Sequence, residues 1–177
     1  DIKKKLDKIA GSTGNMIFNF AQDAFNSFEF DIASSAYEYI ITNFPQSPVY
    51  QLAMIGQART AEQAANIKLK NNSEDWKPYK KSAPAPSEIY KEIINSYMKL
   101  TENKKNINIP AEALYRSAFI YQYKLIDFDS AESLYKEAIK NYALTNYGVL
   151  SALDLSKIYI KENRLEDALG YIENLVT

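Results

Sequence analysis

The sequence predicts an all-α protein, a right-handed stack of about eight or nine helices set in helix–turn–helix pairs, with no sheet. Three observations predict it. Apolar residues recur at the three- and four-residue spacing of helices. Small residues hold fixed places within each period, and the same arrangement recurs four times along the chain. The small residues carry the most information, because helix axes only about 8–10 Å apart leave no room for a bulky side chain where they cross. The pattern is cleanest in YGVLSALDLSKIYIKENRLEDALGYIENLVT, residues 147–177. There Ser156 sits where the first helix must admit its partner, and Ala168 sits where the second helix crosses it.

The elements follow in chain order. Ile2, Leu6 and Ile9 share one helix face, so residues 1–13 are expected to be the tail of a preceding helix, ended by Gly11, and a linker. The first unit, about residues 14–47, pairs a helix carrying Ile17, Phe20, Ala21 and Ala24 with one carrying Phe30, Ala33, Tyr37 and Ile40. Pro45 closes it, having no N–H to donate and clashing with the preceding turn. The second unit, 48–98, opens with Leu52, Ile55 and Gly56 and stays helical in composition to about Leu69. Residues 71–87, NNSEDWKPYKKSAPAPS, have three prolines and no apolar period, which predicts an inserted loop. Its second helix resumes at Glu88 with Tyr90, Ile93, Ile94 and Tyr97; Pro86 stands where the other units have alanine, so a late start is expected.

Pro110 suits the first turn of the third unit, 110–146, where its missing N–H costs nothing. That unit carries Leu114, Ala118 and Tyr121, then Phe128, Ala131, Tyr135, Ala138 and Tyr142. Its turn, residues 124–127, is one residue longer than in the other units. In the fourth unit, 147–177, Leu153, Leu155, Ser156, Tyr159 and Ile160 precede a turn at Asn163, where a left-handed residue is needed, and Leu165, Ala168, Ile172 and Leu175 follow.

Composition sets the class. With 46% hydrophobic and 24% charged residues, the chain can bury a core and is not a disordered segment. A net charge of −1 gives no global field for nucleic acid or an anionic membrane. Charge is uneven, with Lys3, Lys4, Lys5 and Lys8 at the start and nine acidic against five basic residues from Asp127 on. Such runs read as solvated helix faces. No apolar run reaches the roughly 18 residues that cross a bilayer. A chain that begins at Asp1 rather than Met is expected to be a processed piece, with a signal peptide, lipid anchor or coiled coil able to precede it.

Catalysis and cofactors are not expected. Cysteine and histidine are both absent, which removes thiol nucleophiles, zinc ribbons, histidine bases and histidine metal sites. No G-x-S-x-G and no phosphate-cradling glycine loop occurs. Adjacent carboxylates such as Glu166 and Asp167 point different ways on a helix and do not converge. Asp127, Asp129 and Glu132 loosely resemble a calcium loop, but the mid-loop glycine is missing, and carboxylates facing a helix dipole explain them better. The 14 tyrosines and 8 phenylalanines sit mostly at internal positions, so core packing outweighs stacking on single-stranded nucleic acid.

This spacing of large and small residues resembles the tetratricopeptide repeat (TPR), a helix–turn–helix unit of about 34 residues. The resemblance covers residues 14–177, with unit two broken by its loop. A narrower likeness, in Phe28-Glu29-Phe30-Asp31-Ile32-Ala33, Tyr37, Ile40 and the Asn-Phe-Pro-Gln-Ser-Pro run ending at Pro48, is to bacterial cell-envelope TPR proteins. These include the assembly lipoprotein of the BAM complex and the periplasmic TPR protein associated with Tol–Pal. The resemblance implies a right-handed solenoid acting as a non-catalytic scaffold for a protein or peptide partner. It favours a periplasmic or outer-membrane-associated setting over the cytoplasm, and leaves homo-oligomers open. The alternative is an accessory or oligomerisation subunit whose activity lies in an upstream segment or a partner.

In TPR arrays the first helices line the groove. Here that implies Asn15, Phe18, Gln22 and Phe25 in unit one, Tyr50, Ala53 and Gln57 in unit two, Tyr115, Phe119, Gln122 and Tyr123 in unit three, and Leu153, Lys157 and Lys161 in unit four. The chaperone-tail clamp positions read Phe18, Gln22, Met54, Glu112 and Arg116, of which only Arg116 fits, so an extended or helical peptide is the better match. The groove aromatics are expected to be more exposed than Phe20, Tyr121 and Tyr159. Trp76 in the loop is a second candidate anchor.

Overall fold

A computed structural model describes residues 2–72, 85–103 and 105–173, leaving aside the side chains of 2–11, 71 and 72. All regular structure among the described residues is helical: α1 (Ile2–Asn26), α2 (Phe30–Asn43), α3 (Tyr50–Asn72), α4 (Pro86–Met98), α5 (Asn108–Ile120), α6 (Phe128–Tyr142), α7 (Asn146–Lys161) and α8 (Leu165–Glu173). A π-helical turn, Tyr121–Leu125, continues α5. The chain forms two compact units, Asp1–Pro86 and Ser87–Thr177.

In the first unit α1 packs on α2, α2 on α3, and α1 also touches α3. The expected break at Gly11 is absent, since α1 is one continuous helix. A glycine inside a helix costs only ~1 kcal/mol relative to alanine, and no proline follows to make it a stop. The late start expected of α4 is observed: it begins at Pro86 itself, whereas α2, α6 and α8 each begin three residues before the matching Ala33, Ala131 and Ala168, because proline's fixed φ and missing N–H suit the first helical position. The core is built from Ala21, Ala24, Ala33, Tyr37, Ile40, Val49 and Ala53. Gly56 admits the Tyr37 ring: a Cβ there would lie 2.6 Å from Tyr37 Cζ.

In the second unit Tyr90, Ile93, Ile94 and Tyr97 are all buried along α4. Further on, α5 packs on α6, α6 on α7, α7 on α8, and α5 also touches α7. The crossing residues Ala118, Ala131, Ser156 and Ala168 are all buried. Ser156 Oγ donates to the carbonyls of Ala152 (2.8 Å) and Ala168 (3.3 Å), so the two small residues meet across the helix pair. Tyr159 Oη donates to Glu132 Oε1 at 2.9 Å, and the Arg164 guanidinium lies 4.0 Å over the Tyr159 ring, tying α6, α7 and the start of α8 together. Ala131→Leu is expected to overpack the α5–α6 crossing and lower stability by about 1–3 kcal/mol, read as a reduced urea midpoint.

Three turns between paired helices share one device. Phe28, Ile126 and Asn163 adopt left-handed φ of 63°, 55° and 60°. The residue after each sends its N–H back to the helix end: Glu29 to Ala24 O, Arg164 to Tyr159 O, and Asp127 to Tyr121 O. The first two bonds span five residues and the third spans six. Seven residues separate Ala21 from Phe28 and Ser156 from Asn163, but eight separate Ala118 from Ile126. The π turn absorbs that extra residue, as a one-residue widening of an otherwise α-helical ladder. The added length seen in the sequence thus falls inside the helix end and leaves the turn unchanged.

Candidate partner-binding groove

The second unit holds the better-formed site. Tyr115, Phe119 and Tyr123 recur every fourth residue along α5 and its π turn, so they stack along one face. Ring centroids lie 6.1 Å apart for Tyr115–Phe119 and 4.5 Å for Phe119–Tyr123, and Tyr147 of α7 adds a ring 5.8 Å from Tyr115. Tyr123 is 43% exposed and Leu153 on α7 40% exposed, while Tyr115 and Phe119 are half-buried.

Between the two helices lies a carboxylate that sequence reasoning missed. Asp154 is buried, yet it accepts a hydrogen bond from Tyr115 Oη at 3.1 Å and a charge-assisted one from Lys157 Nζ at 2.6 Å. Burial raises the Tyr115 hydroxyl well above the ordinary tyrosine range, and the Asp154 charge raises it further. Tyr123 is raised by the same two causes. The Asp154 hydrogen bond holds Lys157 protonated, outweighing its slight burial. At neutral pH the cluster therefore presents neutral hydroxyl donors and one ammonium around a satisfied carboxylate. The available signal was an acid set amid the small and apolar Ser151, Ala152, Leu155 and Ser156, on the face that goes inward.

Gln122 does not lie open on the groove as expected. It is only 6% exposed, and its Oε1 accepts from the buried Tyr135 hydroxyl at 2.8 Å. The π turn rotates it inward relative to its neighbour Tyr123. Arg116, the one residue matching the clamp, is bound to Glu112 at 2.6 Å on its own helix.

In the first unit the expected site and the core change places. Asn15 and Gln22 are exposed on α1, but Phe18 packs against the Tyr37 ring at 5.8 Å and Phe25 against Phe30 at 5.8 Å. Tyr50 and Gln57 on α3 are half-buried and Ala53 is fully buried. Phe20, expected in the core, is 57% exposed, so the expected ranking of the aromatics fails here. With Ile17, Ile32, Ala36 and Tyr39 it lines a shallow, open depression of about 620 Å³, edged by Asp31 and Ser35. The α1 sequence carries two adjacent apolar stripes, and periodicity alone does not say which one faces α2. Trp76 lies outside the described residues.

Elsewhere Asp127 is the N-cap of α6, accepting from Ser130 N at 3.0 Å and from Ser130 Oγ at 2.7 Å. These bonds hold its carboxyl below its ordinary 3.8. Because the folded form binds the proton more weakly than the unfolded chain, the stabilisation is fully present above about pH 4 and is lost as pH falls through the depressed value. Asp127→Ala is expected to cost about 0.5–2 kcal/mol at pH 7, with the difference from wild type shrinking below pH 4 in acid-titrated melts.

Among the described residues no group of three metal-ligating side chains converges, and no helix is long and apolar enough to cross a membrane. Neither a protein-family model nor a curated protein matches the chain.

Proposed function

We propose that the chain is a non-catalytic protein-interaction scaffold of the TPR type, holding a peptide segment of a partner protein against the first helices of its pairs. One observation carries the reading: the aromatic row Tyr115–Phe119–Tyr123, half-buried at its start and exposed at Tyr123, with Lys157 of the next first helix tied to it through Asp154. Rings with few rotors and a polar tip are the side chains that anchor partners at low entropic cost. Three further observations support it. The pairs α1–α2, α5–α6 and α7–α8 pack against each other, and the contacts of α1 with α3 and of α5 with α7 bring successive first helices side by side, as in a repeat solenoid. Small residues occupy the crossings. Every resolved pKa shift moves its group away from neutrality, tyrosines and Lys136 upward and Asp127 and Glu132 downward, which suits binding and leaves none of these groups tuned for proton transfer at pH 7. The setting we favour, a bacterial envelope assembly, rests on the sequence resemblance.

A second reading, an accessory or oligomerising subunit, is favoured by the depression around Phe20, Ile32 and Tyr39, which puts large apolar side chains in the open.

The test is a captured partner and its affinity for variants. Phe119→Ala is expected to weaken binding about tenfold or more, with Phe20→Ala near wild type. Unchanged binding to Phe119→Ala with a loss in Phe20→Ala would transfer the contact to the α1–α2 flank.

A further inference from the structure

The aromatic row leads into a depression of about 280 Å³ between the end of the π turn and the last two turns of α7. Its lining includes Gln122, Tyr123, Ile126, Phe128, Lys157 and Lys161. The balance of hydrogen-bonding groups in it is one-sided. The Gln122 carbonyl oxygen is taken by Tyr135 Oη, which turns the amide nitrogen the other way; among the described residues that nitrogen meets no acceptor, and it is the part of this largely buried residue that still reaches solvent. The nearby carboxylate, Asp154, is already held by Lys157 and Tyr115. Lys161 stands 4.6 Å over the Phe128 ring and meets no carboxylate among the described residues; its neighbour Glu162 is paired with Arg164 at 3.2 Å. The side chains with unused capacity are therefore donors: one amide and two ammonium groups a single helical turn apart.

A lysine in the last turn of a helix also complements the helix dipole, which by itself accounts for Lys161 on a solvated surface. It does not account for an unpaired amide nitrogen on a residue lining the same space, nor for Ile126, a β-branched residue held left-handed at φ 55° and 64% exposed on the rim. Donors without acceptors, set beside an apolar rim, call for a ligand that brings an acceptor with negative charge and an apolar neighbour.

Resting on the scaffold reading above, we infer that this depression receives an acidic side chain, Glu or Asp, of an extended partner peptide whose apolar residue lies on the Phe119–Leu153 part of the row. Charge complementarity selects the acid, since two ammonium groups and an amide N–H converge on one carboxylate. Leu153 and Lys161 are eight residues apart on α7, about 12 Å along the helix, which an extended chain covers in three to four residues. The acid and the apolar anchor are thus expected at that separation. A side-chain carboxylate reaches between the lysine stems while its main chain runs on over the rings.

The experiment uses the full chain, labelled with ¹⁵N, and three synthetic peptides in a Gly/Ser background. The first carries Leu and Glu three residues apart with both ends blocked. The second is its Gln twin, and the third is the Gln twin with a free C-terminal carboxylate. The expected result is that the Glu peptide moves the Gln122 side-chain NH₂ signals and binds at least fivefold more tightly than its blocked Gln twin at low salt. Lys161→Gln erases that difference, and raising salt so that the Debye length falls to about 3 Å narrows it. Equal affinity of the two blocked peptides, no movement of the Gln122 signals, or a preference untouched by Lys161→Gln would overturn the proposal. Preference for the free-terminus peptide alone would overturn the side-chain assignment. If both blocked peptides bind equally and lose affinity in Phe119→Ala, the acidic pocket falls while the groove stands. If binding is indifferent to Phe119→Ala as well, the scaffold reading falls with it.

Discussion

Gly148→Ala is expected to destabilise the Ser87–Thr177 unit by about 3 kcal/mol, at the upper end of what overpacking costs. The chain turns from α6 into α7 through three residues, and Gly148 sits in the first turn of α7. Thr145 caps that helix, its Oγ1 accepting from Gly148 N at 3.0 Å and donating to Tyr142 O at 2.8 Å. The cap draws the first turn of α7 down onto the end of α6. A Cβ at 148 would overlap the Tyr142 carbonyl and lie 2.9 Å from Ala143 Cα, and backbone atoms have no rotamer in which to yield. Gly170 is the control. Nothing lies within 4 Å of a Cβ placed there, within α8, so Gly170→Ala is expected to be neutral or stabilising by up to ~1 kcal/mol. Urea titration followed by helical circular dichroism separates the two variants.

Tyr135→Ala is expected to cost about 3–5 kcal/mol, the range for removing a fully buried aromatic ring. Its ring fills the space among Ala118, Ala131, Leu155, Ile158 and Tyr159. Tyr135→Phe separates the ring from the hydroxyl. It leaves Gln122 Oε1 without its 2.8 Å donor in a buried site, a loss of about 1–3 kcal/mol. Burial, and after it the Asp154 charge, keeps the Tyr135 hydroxyl protonated far above the ordinary tyrosine range. Alkaline titration of tyrosine absorbance is therefore expected to leave this group silent until the unit unfolds.

Much of the helix pairing was legible in the sequence because it rests on local size and backbone rules. Ala33, Gly56, Ala118, Ala131, Ser156 and Ala168 are small because helices meet there, and all are buried. Asn163 was readable as left-handed since few residues tolerate that φ. Phe28 and Ile126 were not, because there the fold imposes the turn on residues that do not prefer it. The site was harder to read. Phe18 and Phe20 differ only in which of two apolar stripes meets Tyr37, a tertiary choice. Gln122 was displaced by a π turn that exists only because one extra residue had to be housed. Asp154 and Gly148 depend on neighbours 39 and 6 residues away, Tyr115 and Tyr142, beyond the reach of helical periodicity.

Amide hydrogen exchange of the chain with and without its captured partner reads out whether the partner binds the first-helix face of the second unit. Added protection is expected along α5, the π turn and α7, centred on residues 115–123 and 153–161, with α6 and α8 unchanged. Protection confined to α6 and α8, or to the α1–α2 flank around Phe20 and Tyr39, would contradict it.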